Sequence, residues 1–481
     1  MAGFLHGPEF KDGGTQKVVI KGANISTIGV IGTAPIFLLD EENRKINELM
    51  DVSDHTKKAK YLGENLSNYT LYDAVDTILA ESGGASIYAV NVFDPQKHKS
   101  DVSEKEVSFV DGKITLEHKY VFNLTVKQDD APVSDENYTF EDGVISKKEG
   151  STLSTEKPVK VSYSYPDPSK VTAADIIGSI DEYDTKTGLK CFIDLPSIYK
   201  TNDIGILIAP VFEAMSEVEK EIENIAEELG AYSYIAAPIS TTKDDALKGR
   251  NGKGAANFNT VSKRVMLLYP FVGRYNSYEN EDQLKSPSAV AAGMRVYLDD
   301  TRGIQKSLSN TLSKTITRLE TPISYRPGKT NTDANNLNAA GISVFMYHKG
   351  YRSFGNRSAN FPDESGAKTF ECIQRVGDFI ERSIVESTTG ITDEPITTGL
   401  IDSVVSAVNS FLDNLKNPQN PVIIGGSFWY DSNLNTAEDI ADGWTKFCFD
   451  YAPPTPNERT TYYREVNIQL YKNIGSEATN A

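Results

Sequence analysis

Cysteine, histidine and tryptophan are scarce in this chain of 481 residues, which contains three, five and two of them respectively. Cys191, Cys372 and Cys448 are far apart, and none has a cysteine or histidine at metal-ligand spacing. Neither a disulfide framework nor a structural zinc site is therefore indicated. The five histidines are scattered and no two of them have HxxxH spacing, so we predict no metal-binding residues.

Long apolar runs are also missing. The longest, "IGVIGTAPIFLL" (28–39), contains a proline and is much shorter than the roughly 20 residues needed to span a bilayer. The first ten residues, "MAGFLHGPEF", lack the basic and apolar regions of a signal peptide. We therefore expect a protein made in the cytosol, with no membrane insertion.

Positive charge is outnumbered, because 49 lysines and arginines face 67 aspartates and glutamates, for a net charge of −18. Such a surface repels nucleic acid and anionic membranes, which disfavours both as direct partners. The content of 39% hydrophobic and 24% charged residues is typical of a soluble globular protein. The length allows two or more domains.

The signatures of common enzyme sites are absent from the sequence. "GVIGTAP" (29–35) lacks the GxGxxG spacing and runs into a proline where a phosphate-binding helix would begin. "KGRNGKGAAN" (248–257) has no serine or threonine after its lysine, and there is no GxSxG nucleophile elbow. Asp299 and Asp300 are adjacent, so on a helix their side chains point in different directions. We predict no catalytic or cofactor-binding residues; an α/β enzyme assembled from distant loops is the alternative.

Alternating strand and helix patterns over 23–97 and 169–340 predict a middle α/β domain with an open, mostly parallel or mixed sheet. Helices are expected near 69–81, 211–230 and 286–300. The predicted strands lie in "TIGVIGTAP", "GASIYAVNVF", "KCFIDLPS", "YSYIAAP" and "KRVMLLYPFV".

Residues 98–168 interrupt this pattern. They alternate every second residue and carry two Asp-Gly turns, which predicts an inserted β-rich module on the outer face. From 341 to 458 we predict a third, C-terminal α+β domain that opens with two strands about a turn and closes with strands in "VIIGGSFWY" and "GWTKFCFDYAPP". Its two amphipathic helices are expected to bury Phe370, Ile373, Ile380 and Ile384, and then Ile401, Val404, Val405, Val408, Phe411, Leu412 and Leu415.

The two ends of the chain, 1–22 and 459–481, each contain a short strand pattern. In "REVNIQLYK" (464–472), apolar Val466, Ile468 and Leu470 alternate with polar residues. A strand so close to the terminus needs a partner for its N–H and C=O groups, or it becomes an open edge. The partner is either the sheet of its own domain or another chain.

Five stretches are informative as a set: "HGPEF", "GVIGTAP", "SPSAVAAGMRVYLDDTRGIQKSLSN", "LNAAGISVFMYHKGYRSFGNRS" and "NLNTAEDIADGWTKFCFDYAPPTPNERTTYYREVNI". Together they resemble the contractile tail sheath family, nearest to its P2-like branch. The resemblance covers 1–40 and 260–475 well and hardly touches 98–168. The family's "WGxRT" motif is altered here, because Phe354 stands where tryptophan is usual, and Asn356 and Ser358 flank Arg357.

The resemblance implies a non-enzymatic virion structural protein, assembled in the host bacterial cytoplasm. Subunits would form a helical polymer around a tail tube in a metastable extended state, and would contract to drive the tube through the host envelope. Baseplate and tail terminator proteins are further implied partners. The sheath of a headless device, a tailocin or extracellular injection system, is the alternative.

The resemblance also implies that the two ends act as arms which add strands to a small sheet in neighbouring subunits. The glycine- or proline-containing stretches 11–14, 22–24 and 452–458 are the expected flexible linkers. The implied arm residues are Val18, Val19, Ile20, Tyr462, Val466, Ile468 and Leu470.

The tube-facing surface is expected in the 341–458 domain. Charged contacts, which salt weakens, suit a surface that must release its partner. Arg375, Arg382 and Lys416 are the candidates for this surface, and plain solvated helix faces are the alternative for each.

Overall fold

The structure, a computed structural model, describes residues 18–254 and 256–473. The "HGPEF" stretch and the linker predicted at 11–14 lie outside the described residues. The described helices are α1 His55–Leu62, α2 Leu71–Ser82, α3 Ala173–Ile177, α4 Leu195–Tyr199, α5 Ser216–Leu229, α6 Lys243–Gly249, α7 Ser288–Arg302, α8 Asp333–Ala339, α9 Glu371–Thr388, α10 Thr398–Leu415 and α11 Ala437–Ala441.

Strands account for most of the remaining regular structure. They are β1 Ile28–Gly32, β2 Leu49–Asp51, β3 Ile87–Asn91, β4 Lys99–Val107, β5 Lys113–Thr115, β6 Phe122–Gln128, β7 Ala131–Pro132, β8 Tyr138–Glu141, β9 Val144–Lys147, β10 Val159–Pro166, β11 Ile206–Ile208, β12 Tyr232–Ala236, β13 Val265–Tyr269, β14 Val272–Asn276, β15 Glu281–Lys285, β16 Arg318–Leu319, β17 Ile342–Tyr347, β18 Tyr351–Phe354, β19 Gly425–Tyr430 and β20 Phe447–Ala452.

An eight-stranded mixed sheet forms the middle of the chain, in the order β18-β17-β13-β12-β11-β1-β3-β2. The six inner strands are parallel, and the edge strands β2 and β18 are antiparallel to their neighbours. Helix α5 packs on one face, while α2 and α7 pack on the other. Because both faces are covered, the inner strands are almost entirely buried and mostly apolar, as parallel strands usually are. The predicted mixed sheet is confirmed.

One predicted strand is wrong. "KCFIDLPS" (190–197) lies in a 3₁₀ helix over Gly188–Asp194 that continues into α4. Leu189, Phe192 and Leu195 are all buried and are spaced by three, which matches one face of a 3₁₀ turn. A short apolar run without a clear alternation is compatible with either element, and here the helical period describes it.

Residues 99–166 form two small sheets, β4-β10-β6-β7 and β5-β9-β8, around a core of their own. The chain enters along β4 and leaves along β10, which pair antiparallel from Lys99 opposite Pro166. An insertion needs this geometry, because its two ends must return to the same place. At both Asp-Gly turns the aspartate and the glycine have positive φ, from 49° to 79°, as a type I′ turn requires.

The predicted domain boundary at 341 differs from the structure. Strand β17 pairs in parallel with β13, with Ile342 opposite Leu267, and β18 then closes that edge of the middle sheet. Of the described helices and strands, the C-terminal unit therefore contains α9, α10, β19, α11 and β20. Its core is formed by Val376, Ile380, Val404, Val408, Phe411, Leu412, Ile423 and Phe428.

A fully buried carboxyl group lies next to the middle sheet, in the turn that follows β11. The side chain of Glu213 accepts a hydrogen bond from the Ser286 hydroxyl at 2.6 Å. Burial raises its pKa to about 8, and hydrogen bonds from Ser286 and Ser288 offset only part of this effect. Between pH 4.5 and 8 the folded chain therefore holds a proton that the unfolded chain has lost.

We expect Glu213→Gln to remove a loss of stability that the native chain suffers as pH rises through this range. The variant should be more stable than the native chain by up to about 4–5 kcal/mol at pH 9, and by less than about 1 kcal/mol at pH 5. Urea denaturation at the two pH values measures this difference. Glu217→Gln, at an exposed position of α5, serves as the control. A gain from Glu213→Gln that is equal at both pH values would contradict the burial of a neutral carboxyl group.

Candidate inter-subunit site

Over its described residues, 459–473, the C-terminal segment makes no strand in the subunit. Residues 459–467 have no regular structure, and Ile468–Asn473 form a 3₁₀ helix. Every residue from Asn457 to Tyr471 is exposed. Within the described residues β19 and β20 form a sheet of two strands, so the described part of this segment does not complete the sheet of its own domain.

This segment exposes an unusual concentration of large apolar side chains. Tyr462 and Tyr463 are 89% and 96% exposed, and Val466, Ile468 and Leu470 are between 63% and 73% exposed. Contiguous exposed apolar surface of this kind marks interaction sites in soluble proteins. The alternating apolar side chains predicted from the sequence therefore pack against no other part of the described chain.

The N-terminal segment behaves differently. The main-chain N–H groups of Lys21 and Ala23 donate to the hydroxyls of Ser387 and Ser383, each at 2.9 Å. Val18 and Ile20 pack against the C-terminal core, while Val19 between them is 65% exposed. These predicted arm residues are extended and alternate, but they lie along α9 of their own subunit. The stretch 22–24, predicted as a flexible linker, is held there as well.

The two-stranded sheet has two unequal edges. The Asn409 amide on α10 accepts from the N–H of Phe428 at 2.9 Å and donates to its C=O at 2.7 Å. Lys416 donates to the C=O of Gly426 at 3.0 Å. Side chains of α10 and the residue that follows it thus occupy the outer edge of β19, as a neighbouring strand would.

The outer edge of β20 lacks such cover. Phe428 lies opposite Phe449, and since the polar groups of Phe428 point away from β20, those of Phe449 point away from β19. The same holds two residues away on either side, at Phe447 and Tyr451. Within the described residues, no side chain hydrogen bonds to the main chain of these three positions. β20 therefore presents an open edge.

Two of the three predicted tube-facing residues face the middle domain: Arg375 is buried there, and Arg382 is half-buried. The side chain of Arg375 is 1% exposed, and its guanidinium contacts both carboxylate oxygens of Asp299 at 2.8 Å. Arg382 donates to the main-chain oxygens of Asp203, Ile204 and Leu229 at 2.8–3.1 Å. Both residues lie on the face of α9 that covers the middle domain, which is the reason they do not fit a tube-facing role. Lys416 keeps 32% side-chain exposure and stays a candidate.

A buried group of four charges joins α7 to α9. It consists of Arg295 and Asp299 on α7 and Glu371 and Arg375 on α9, with side chains no more than 3% exposed. Two positive and two negative charges balance each other, as burial requires. Burial raises the pKa of Asp299, but Arg295 and Arg375 lower it more, so that the net pKa lies below its ordinary value.

The N-terminal segment is tied into the same group. Ser26 donates to Asp299 at 2.6 Å, and Arg375 donates to the C=O of Ile25 at 2.9 Å. Sequence reasoning treated Asp299 only as a neighbour of Asp300. The signal that could have found it is its position one helical turn after Arg295, in a helix that is otherwise apolar on that side.

In the loop after β1, where an enzyme of this topology could bind phosphate, main-chain N–H groups are already bonded to side chains of the same chain. After β1, the N–H of Thr33 donates to the Thr70 hydroxyl at 3.1 Å and that of Ala34 to the Asn91 side chain at 2.9 Å. Among the described residues, no three histidine, cysteine or acidic side chains are grouped to hold a metal ion. None of the described helices is both long and apolar enough to span a membrane.

Comparison with known proteins agrees with this architecture. Residues 170–359 match the family described as phage tail sheath protein central domain. The chain is 36% identical to the tail sheath protein of Burkholderia phage BcepMu over 97% of its own length and 98% of that protein. It is 25% identical to the tail sheath protein of Escherichia phage P2, over 63% of this chain and 73% of that protein.

Solved structures show the same fold at lower identity. The contracted helical sheath of the anti-feeding prophage aligns with 97% of this chain and all of that chain, at 14% identity and a TM-score of 0.58. The contracted sheath of the extracellular injection system PVC gives a TM-score of 0.57. The fold is thus that of the subunits of contractile sheaths. The chain belongs to the phage tail sheath protein family.

We expect Asp299→Asn to destabilise the subunit strongly, because it leaves Arg295 and Arg375 with a single buried carboxylate between them. The loss should be about 3–5 kcal/mol in the free energy of unfolding, measured in urea. Asp300→Asn, at the exposed neighbouring position, should change stability by less than about 0.5 kcal/mol. Similar small losses for both variants would show that the buried group does not hold α9 on the middle domain.

Proposed function

We propose that this chain is a structural, non-enzymatic subunit that polymerises as a helical sheath around a tail tube, and that the C-terminal arm (residues 459–481) joins neighbouring subunits. The observation that carries the proposal is the mismatch within one subunit. An apolar alternating segment is exposed, while a strand edge that could receive it is open. Family membership supports the same conclusion.

Strand addition accounts for both features. An arm paired with β20 of another copy would satisfy the free groups of Phe447, Phe449 and Tyr451. Each hydrogen bond contributes roughly 0.5–1.5 kcal/mol net. Val466, Ile468 and Leu470 would then lie on one face of the enlarged sheet, next to the half-buried aromatic rings of β20. The apolar face fixes the register, because a slip by one residue would turn these side chains to solvent.

The N-terminal segment has a different part in the proposal. Residues 18–25 are bound to α9 of their own subunit. The subunit is assembled in the host bacterial cytoplasm with the tube, baseplate and tail terminator proteins as partners. It forms an extended, metastable sheath whose contraction drives the tube through the host envelope, on free energy stored at assembly. The likeness to injection-system sheaths supports a headless device as the second candidate.

Deleting residues 459–481 should abolish sheath formation and leave a folded monomer, because the donated strand is lost. Negative-stain microscopy of the chain, alone and with purified tube protein, measures the outcome. The matched control removes only 474–481, which leaves the alternating segment intact and should still form tubes. If the longer deletion still forms tubes, the contacts between subunits are made by the folded body and not by a donated strand, which would contradict the proposal.

A proline on the receiving strand tests the edge itself. Phe449→Pro removes an N–H that points away from β19, so it should block arm addition without removing a bond of the β19–β20 pair. Phe449→Val loses comparable packing but keeps the N–H. We expect both variants to lose similar stability by thermal unfolding, and only the proline variant to fail in tube assembly. Equal assembly by both would show that β20 is not the receiving edge.

A further inference from the structure

Arg357, in the loop after β18, is held in place from several sides. The centre of its guanidinium lies 3.7 Å from the centre of the Phe370 ring and 4.9 Å from that of Phe361. One terminal nitrogen donates to the Thr369 hydroxyl and to the C=O of Gly366. Stacking and hydrogen bonding together leave this side chain little freedom, and only the planar guanidinium of arginine offers both.

The remaining nitrogens of Arg357 face Glu458. Nε donates to Oε1 at 3.1 Å and Nη2 to Oε2 at 2.5 Å, which makes a two-point ion pair. The Arg357 side chain is 16% exposed and that of Glu458 is 46% exposed. Such a pair orients the carboxylate, yet water and salt can still compete for it.

Glu458 occupies a particular place in the chain. Between the end of β20 and this residue, Pro453, Pro454 and Pro456 are half-buried along the body. From Arg459 to Tyr471 every residue is exposed, and the hydrogen bonds that this stretch makes join residues within 457–470. Over the described residues, Glu458 is thus the last one tied to the folded body. The stretch predicted as a flexible linker is fixed at this end.

We propose that the Arg357–Glu458 pair is a latch that fixes the point and direction in which the C-terminal arm leaves the subunit, and so selects the neighbouring copy whose β20 the arm can reach. This inference rests on the proposed strand exchange. With the latch closed, Val466 can lie at most about 25–30 Å from Glu458. With it open, the stretch 453–457 can also detach from the body, and a tether that begins at Ala452 reaches at most about 45–50 Å. A longer tether lowers the effective concentration of the arm at any one edge.

The latch predicts a specific effect on assembly. Glu458→Gln should raise the critical concentration for tube formation about 2- to 10-fold at 0.05 M salt, as measured by sedimentation with tube protein present. At about 0.5 M salt the native chain should approach the variant, because salt screens the half-exposed pair. Glu465→Gln, an exposed glutamate within the arm, is the matched control and should not differ from the native chain.

Arg357→Lys keeps the charge but loses the two-point contact with Glu458 and much of the stacking on the aromatic rings, so it should weaken the latch in the same way. Its effect on the critical concentration should not add to that of Glu458→Gln, because each removes the same contact. Additive effects, or a critical concentration that Glu458→Gln leaves unchanged, would overturn the latch while strand exchange stands.

A measurement on the monomer tests the latch even if no tubes form. Nitroxide labels are placed at Ser410→Cys on α10 and at Tyr462→Cys in the arm, with Cys448→Ser to remove the partly exposed thiol. Glu458→Gln should broaden the distance distribution between the labels, and Glu465→Gln should not. An unchanged distribution overturns the latch. A broadened distribution in a chain that forms no tubes retains the latch and rejects the proposed function.

Discussion

The ion pair between Arg375 and Asp299 is the contact on which the arrangement of the subunit depends. It joins α9 to α7, and through Ser26 and Ile25 it also fixes the N-terminal segment. Burying such charges costs several kcal/mol per ion, which the balanced group offsets through close opposite charges and the two-point contact between Arg375 and Asp299. A well-packed apolar contact could give similar stability. The charged group adds a requirement for one orientation of α9, because any other leaves a buried charge unpaired.

The opposite face of α9 is a wall of the C-terminal core, so one helix belongs to two units. Val376 and Ile380 pack toward α10, while Arg375 and Arg382 hold the middle domain. The receiving sheet, packed on the same core, is therefore fixed relative to the eight-stranded sheet. If neighbouring subunits exchange arms as proposed, a change in their packing has to be taken up between copies and in the arms. The position at which each arm is fixed to its own subunit would then decide how far that subunit can travel without losing its neighbour.

Local patterns in the sequence predicted the parts of the fold whose partners are local or whose burial is complete. Most inner strands and the amphipathic helices follow from apolar runs and periods, but the short strand β11 between β12 and β1 was not predicted. The boundary at 341 was missed because β17 pairs with β13, far away in sequence. Arg375 and Arg382 were misplaced because a charged stripe opposite an apolar one usually faces water, whereas here it meets a second domain. The Arg357–Glu458 pair joins residues 101 positions apart, and no local pattern contains it.

Charge and reach together bear on the proposed strand exchange. A net charge of −18 makes the bodies of two subunits repel each other, but at physiological salt this repulsion fades beyond about 8 Å. A latched arm could reach up to about 25–30 Å, several times that distance. In the proposed exchange it would therefore meet an open strand edge before the two bodies come within range of their charges. Because pairing would then require a correctly registered edge, the arm would select a specific neighbour rather than any apolar surface.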